Sequence, residues 1–415
     1  MIKVLETFSG IGAQAKALER LNIEYEIVAT ADWDINAIIA YDLIHHGIQD
    51  LSLYDNKDKE EVIKELQGYT LSPDGKNPYA EGCLSRVNIE ILKRLAVAIR
   101  RCNNLVSITD MTGKDIPEDL DLLTYSFPCQ DLSIAGVWHG NMSGIDRGAH
   151  NRSGMLWEVE RILKECVSAN KRLPSFLLME NVGNIMAPRH MGNFQEWQTY
   201  LEKIGYNNKT YKLNAKKFGV PQTRERVYML SAYVGDNQKK KDILDEYYKQ
   251  HDLQNDEYVE SLSFLEKRTM KDVVKNDYRV KKYRNEANRS QLNDTPSRVK
   301  IVEENDKILC DKKFVEIIKT ITTKQDRNPN SGVIEYHNEA EGKLYWRYLT
   351  PRECFLAMGF DEKDFDALID NNIQVAKNRW LFSDEKLIKM AGNSIVVNVL
   401  QAIFNQVVEI QKLFI

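Results

Sequence analysis

Along the first forty-six residues the apolar and polar positions switch between two periods. Ile2–Thr7 alternates loosely, as a strand does, Phe8 to Gly12 is a turn of small residues, and Ala13–Leu21 carries apolar residues at helical spacing. Residues 26–30 read as a second strand ending in Ala31-Asp32-Trp33-Asp34, and 37–43 continue as a helix. Strand, turn and helix repeated in this way predict a parallel sheet that binds ligands at the C-terminal ends of its strands. Residues 50–104 read as an insertion: a charged stretch (56–67), a Pro/Gly segment (72–82) and an amphipathic helix (87–100). The sheet pattern resumes at 105–108 and is completed by apolar runs at 120–126, 175–179 and 226–232. Gly136, Gly140, Gly144, Gly148 and Gly154 punctuate a loop too long for a connector, which reads as a functional lid. Apolar periodicity returns at Arg347, and 395–408 forms a closing helix.

Composition changes this picture in three ways. With 415 residues, 43% apolar and 28% charged, the chain has material for two or three domains around a buried core. No run approaches eighteen apolar residues and MIKVLETFSG lacks the pattern of a signal peptide, so no membrane span and a cytoplasmic location are expected. The cysteines at 83, 102, 129, 166, 310 and 354 are scattered without CxxC spacing. That argues against a disulfide framework and against a metal, and leaves single reactive thiols. The net charge of −4 offers no support for a nucleic-acid partner. Residues 265–300 reverse the sign locally, with eleven Lys/Arg against five acids and Tyr278 and Tyr283 interleaved. The expected organisation is therefore a catalytic domain over 1–235, a basic domain over 236–345, and a segment 346–415 whose last helix completes the catalytic domain.

Four places carry chemistry. The turn Thr7-Phe8-Ser9-Gly10-Ile11-Gly12 lets backbone approach a ligand closely, and Asp32, ending the second strand, is placed to accept from ribose hydroxyls. The third glycine of the dinucleotide fingerprint is missing, with Ala15 or Lys16 in its place, so a single nucleoside fits better than a pyrophosphate cofactor. Cys129, in Ser126-Phe127-Pro128-Cys129-Gln130, follows a strand and precedes the Gly-rich loop, where an α/β nucleophile belongs. The other five cysteines read as small buried hydrophobes. Glu180 ends the next strand and would face the same cleft, and Arg224 and Arg226, two apart on an extended segment, could clamp carboxylates or phosphates.

Together these residues resemble the cytosine-C5 DNA methyltransferases of bacterial restriction-modification systems. The blocks stand in unpermuted order: FSGIG (8–12), ADWD (31–34), SFPCQ (126–130), MENV (179–182), QTRER (222–226), RYLTPRECFLAMGF (347–360) and AGNSIVVNVL (391–400). The resemblance implies a Rossmann-like α/β fold, dependent on S-adenosylmethionine, with a parallel-rich mixed sheet and a smaller inserted target-recognition domain. It implies Cys129 as the nucleophile toward cytosine C6 and Glu180 as the group that holds N3 and the exocyclic amine, with a raised or coupled pKa in the complex. Arg226 would orient Glu180, and Arg224 would contact DNA close by. The target base would be flipped into the pocket, with stretch 136–154 closing over the DNA.

The implied cofactor residues are Phe8, Gly10, Ile11, Gly12, Asp32, Trp33, Ser107, Ile108, Pro128, Leu156, Asn393 and Ser394, with S-adenosyl-L-homocysteine as product and no metal. Two departures from the family pattern stand out. Ser107 occupies the place of the acid that reads adenine, with Asp110 as a substitute, and Asp32 replaces the usual Glu. Implied DNA contacts are Gln130, Ser133, Gln222, Thr320, Lys324 and Arg327, with Gln325 and Asn330 also able to read base edges and the basic stretch touching phosphates. Double-stranded DNA is the expected partner, a separate cognate endonuclease belongs to such systems, and a monomer is expected. Two alternatives stay open: a tRNA cytosine-C5 methyltransferase, which shares PCQ and ENV but typically has a CFT tripeptide absent here, and a catalytically silent DNA-binding regulator.

Overall fold

The computed structural model describes residues 1–128, 145–147 and 152–414. The chain divides into two compact units, one of Met1–Leu213, Glu225–Ser261 and Gln401–Ile415, the other of Asn214–Arg224 and Leu262–Leu400. These limits differ from the expected domain boundaries, most of all in drawing 346–400 into the second unit.

The first unit is built on a six-stranded sheet. Its strands are β1 (Ile2–Thr7), β2 (Tyr25–Ala31), β3 (Leu122–Tyr125), β4 (Phe176–Val182), β5 (Tyr206–Asn214) and Glu225–Tyr233. They lie in the order β2, β1, β3, β4, Glu225–Tyr233, β5. The pairs β1/β2, β1/β3 and β3/β4 are parallel, whereas β4 meets Glu225–Tyr233 antiparallel, giving the expected parallel-rich mixed sheet. Helices α1 (Ala13–Leu21), α2 (Ile35–His46) and α4 (Ile89–Arg101) match the expected helical stretches to within a turn, and the charged stretch 56–67 contains a further helix, α3 (Lys59–Leu66).

Two expectations fail here. Residues 105–108 form no strand; only an isolated bridge joins Thr30 to Asn104, and Val106 sits at φ +62°. The polar edge strand β5, YNNKTYKLN, had no apolar alternation to announce it. The closing helix spans Val397–Leu413. The segment Asp384–Leu413 has the length and composition of a membrane span, but 78% of its most apolar window is buried, as in a core helix.

Glu6, on β1, is wholly buried. Burial pushes its carboxyl up to about 8, against smaller opposing effects from Tyr41 and the Ala15 backbone. Between pH 4.5 and 8 the folded chain therefore holds a proton that the unfolded chain has released, and stability falls as pH rises through that window. Glu6→Gln should flatten this slope. Relative to wild type the variant gains stability by about 1.4 kcal/mol per pH unit across the window, read by urea unfolding at pH 5, 6.5 and 8. A pH-independent difference between the two proteins would refute a buried neutral carboxyl.

The second unit carries a five-stranded sheet, ordered Lys313–Phe314, Lys307–Cys310, Val333–Glu335, Lys343–Arg347, Gln291–Asn293, and the helices Pro351–Ala357, Glu362–Asp370 and Asp384–Asn393. The block 347–360 proves to be an electrostatic core. Arg347 and Glu353, both fully buried, form a two-pronged pair at 2.7 and 2.8 Å. Arg352, 1% exposed, grips Glu286 at 2.9 Å and Asp366 at 2.7 Å. Part of the basic segment is neutralised by acids far along the chain: Arg268 by Asp361, Lys275 by Glu362, Lys282 by Asp366, Arg289 by Asp384. Burial opposes ionisation of Glu362, yet hydrogen bonds from Lys275 and Tyr283 hold it down to about 2. Four of the eleven cations of the expected phosphate-binding stretch are thus tied within the fold to acids far along the chain.

Candidate active site

The turn after β1 is shaped by three left-handed residues, Phe8 (φ +56°), Gly10 (+55°) and Gly12 (+76°). Gly12 is required twice over. Its backbone favours glycine, and a Cβ there would stand 2.1 Å from Nε2 of His45, whose ring meets the Ile11 carbonyl at 3.1 Å. Among the described residues, nothing lies within 4 Å of where a Gly10 Cβ would stand. The carboxylate of Asp32 accepts from the Gly10 N–H and the Asp34 N–H, each at 2.9 Å, locking the turn after β1 to the end of β2. Trp33 is half-buried beside it. Ile108 and Leu156 lie in the apolar cluster on which Phe8 packs.

Ser107 does not fit the adenine-reading role. It is 5% exposed, and its hydroxyl is engaged by the Thr109 hydroxyl at 2.7 Å and the Thr109 N–H at 3.3 Å. Asp110 is exposed and accepts from the Thr109 hydroxyl at 3.2 Å.

At the C-terminal end of β4 two of the catalytic candidates meet. Glu180 pairs with Arg226 (Oε1 to Nε 3.3 Å), with side chains only 13% and 17% exposed. The antiparallel register explains this, because Arg226 stands opposite Val182 and diagonal to Glu180. Asn181, 1% exposed, donates to the Phe127 carbonyl at 3.1 Å and so ties the end of β4 to the segment leading to Pro128. Its only signal in the sequence was its place beside Glu180. Cys129, Gln130 and Ser133 lie outside the described residues, as does most of 136–154. Of that loop, Ile145 is buried and Arg147 is held by Glu160 and Glu196 and stacks 3.7 Å from the Trp157 ring.

In the second unit Gln222 and Arg224, from the first part of the QTRER motif, take on a different job from the one expected. Arg224 is 4% exposed and donates to the carbonyls of Ile321 (3.1 Å), Gly392 (2.9 Å) and Ser394 (2.9 Å). A guanidinium committed in this way organises two backbone segments and is not presented to DNA. Gln222 is likewise fully buried, its amide donating to Ala357 O and accepting from Ile321 N–H. These two DNA-contact assignments are corrected by burial. Ser394 lies at the Arg224-bound turn, with Asn393 exposed beside it. Thr320 donates to Thr223 O, Lys324 is exposed, Arg327 pairs with Glu385, Asn330 donates to Thr320 O, and Gln325 is fully buried.

Among the described residues two clusters of metal-ligating side chains lie elsewhere, and one carboxylate in each is already engaged. Asp42, beside His46 and Cys102, accepts from Gln49 and pairs with Arg101. Glu335, beside Cys310 and Asp311, accepts from the Asp311 N–H and meets His337.

The first unit thus joins a parallel-rich α/β sheet to a glycine turn, an acid just after its second strand and a Glu–Arg pair at the C-terminal end of β4. The chain matches the family described as C-5 cytosine-specific DNA methylase over residues 90–409. It is 31% identical to the type II methyltransferase M2.ScrFI of Lactococcus lactis subsp. cremoris, covering 99% of this chain and 100% of that protein. It is 41% identical to the orphan methyltransferase M.SssI of Spiroplasma monobiae across 55% of this chain, spanning 59% of that protein's length. Among solved structures, S. pombe Dnmt2 methyltransferase is similar with a TM-score of 0.58 at 17% identity, covering 99% of each chain. EhMeth of Entamoeba histolytica gives 0.57 at 15%, covering 99% of this chain and 98% of that one, and both are likenesses of fold. The protein belongs to the C-5 cytosine-specific DNA methylase family.

Proposed function

We propose that the chain methylates C5 of a cytosine flipped out of duplex DNA, as the modification enzyme of a restriction-modification system. The Glu180–Arg226 pair at the edge of the sheet, tied through Asn181 to the segment before Cys129, carries this reading. Cytosine C5 is a poor nucleophile until C6 is attacked. A bond from the Cys129 sulfur to C6 places electron density on C5 and N3. Glu180, steadied by Arg226, accepts from the exocyclic amine and, carrying a proton, donates it to N3, which offsets the charge that develops there. Once C5 carries the methyl group, its proton passes to water and the Cys129 thiolate is expelled, which restores the ring.

Gly10, Asp32 and half-buried Trp33 fit an adenosine group, and Phe8 to Gly12, Asp32 and Trp33 would hold S-adenosylmethionine. When bound, it supplies the methyl group. In a filter assay with tritiated cofactor, label is expected in duplex DNA and not in tRNA, and a 5-fluorocytosine duplex is expected to trap the enzyme covalently. Labelled tRNA with silent DNA would move the substrate to RNA. No label in either would favour the binding-only alternative.

A further inference from the structure

Three loops meet around the proposed cofactor site, and one buried side chain links two of them. Asn104, 5% exposed, follows α4 and is bridged to Thr30 at the end of β2. Its backbone neighbours continue that tie: Leu105 N–H donates to Thr30 O at 2.8 Å. The Asn104 Oδ1 accepts the Val106 N–H at 2.7 Å and, more distantly, the Asp32 N–H at 3.5 Å. Asp32 in turn holds Gly10. Val106 is the exceptional residue, a buried β-branched side chain at φ +62°, a region such residues avoid unless something over-determines it. The Asn104 carboxamide does so by capturing the Val106 N–H. The same act removes that N–H from any strand pairing, which accounts for the missing strand at 105–108.

We infer that Asn104 is a positioning residue for cofactor binding: its side-chain oxygen fixes the Leu105–Ile108 loop in its left-handed turn and registers it against Asp32, so that the adenine and ribose ends of one ligand are met at once. The inference rests on the proposed cofactor site. It assigns Asn104 no contact with substrate and no part in the chemical step.

The test is affinity of the full-length protein for S-adenosyl-L-homocysteine by calorimetry, with steady-state methylation alongside. Asn104→Ala should weaken binding and raise the cofactor KM by about tenfold or more, while kcat at saturating cofactor stays within about twofold and DNA affinity is unchanged. Asn104→Asp keeps an acceptor oxygen in place and should restore binding to within about threefold of wild type, and it decides the matter if the alanine variant does not fold. Cofactor affinity unchanged in Asn104→Ala, or lost equally in Asn104→Asp, overturns the inference. Asp32→Ala serves as the control. Weakened binding there with no effect at Asn104 sinks this inference alone, whereas unchanged binding in Asp32→Ala sinks the site and the inference together.

Discussion

Cys129→Ala is expected to bind duplex DNA with near wild-type affinity and to transfer methyl at least about a thousandfold more slowly. Removing a nucleophile deletes the covalent route entirely rather than weakening it. The comparison requires two measurements on one preparation: gel-shift affinity and incorporation of labelled methyl. Methylation within tenfold of wild type would dismiss attack by sulfur on C6. Loss of DNA binding together with activity would instead point to a structural thiol. Retained binding matters here because Glu180 and Arg226 keep their pairing without the thiol, and they sit on hydrogen-bonded strands.

The second large effect is on stability and lies far along the chain. Arg347→Met should destabilise the second unit by about 3–5 kcal/mol, because it strands a buried carboxylate. Glu353 has no exposure to water, and its oxygens also accept from the Thr350 and Lys275 N–H groups. The same carboxylate completes the capping box that starts the helix Pro351–Ala357. The double variant Arg347→Met, Glu353→Leu should recover much of the loss, since apolar replacement of both partners removes the uncompensated charge. Chemical denaturation followed by circular dichroism measures both. A single variant within about 1 kcal/mol of wild type would show that the pair is dispensable.

The alternating α/β half of the fold was readable because each element there buries one regular face. β1, α1, β2 and α2 lie where period two and period 3.6 place them. The run at 105–108 misled because its apolar residues are real core residues held by a side-chain hydrogen bond and not by strand pairing. β5 was invisible for the opposite reason, being a true strand whose residues are mostly polar.

Residue type announced Glu180 and Arg226, and the register of β4 with Glu225–Tyr233 brings them together. It could not announce that Arg224 and Gln222 turn inward, because burial of a guanidinium depends on carbonyls about 100 to 170 residues away. The pairing within the basic run at 265–300 was hidden for a related reason, since the acids that meet four of its cations lie at 361–384. Asn104 and Asn181 had no signal of their own as buried acceptor and donor.

The link from Asn181 to the Phe127 carbonyl has a consequence for how such an enzyme can diversify. β3 and β4 are parallel neighbours in register, Tyr125 beside Met179. The spacing from the acid at Glu180 to the chain emerging at Pro128 is therefore set by the pitch of the sheet, about 4.8 Å from strand to strand. Loops beyond that edge can lengthen, shorten or change sequence without moving one reactive group relative to the origin of the other. Target choice can then drift in evolution while the gap proposed to receive a base is handed down as a property of backbone hydrogen bonding.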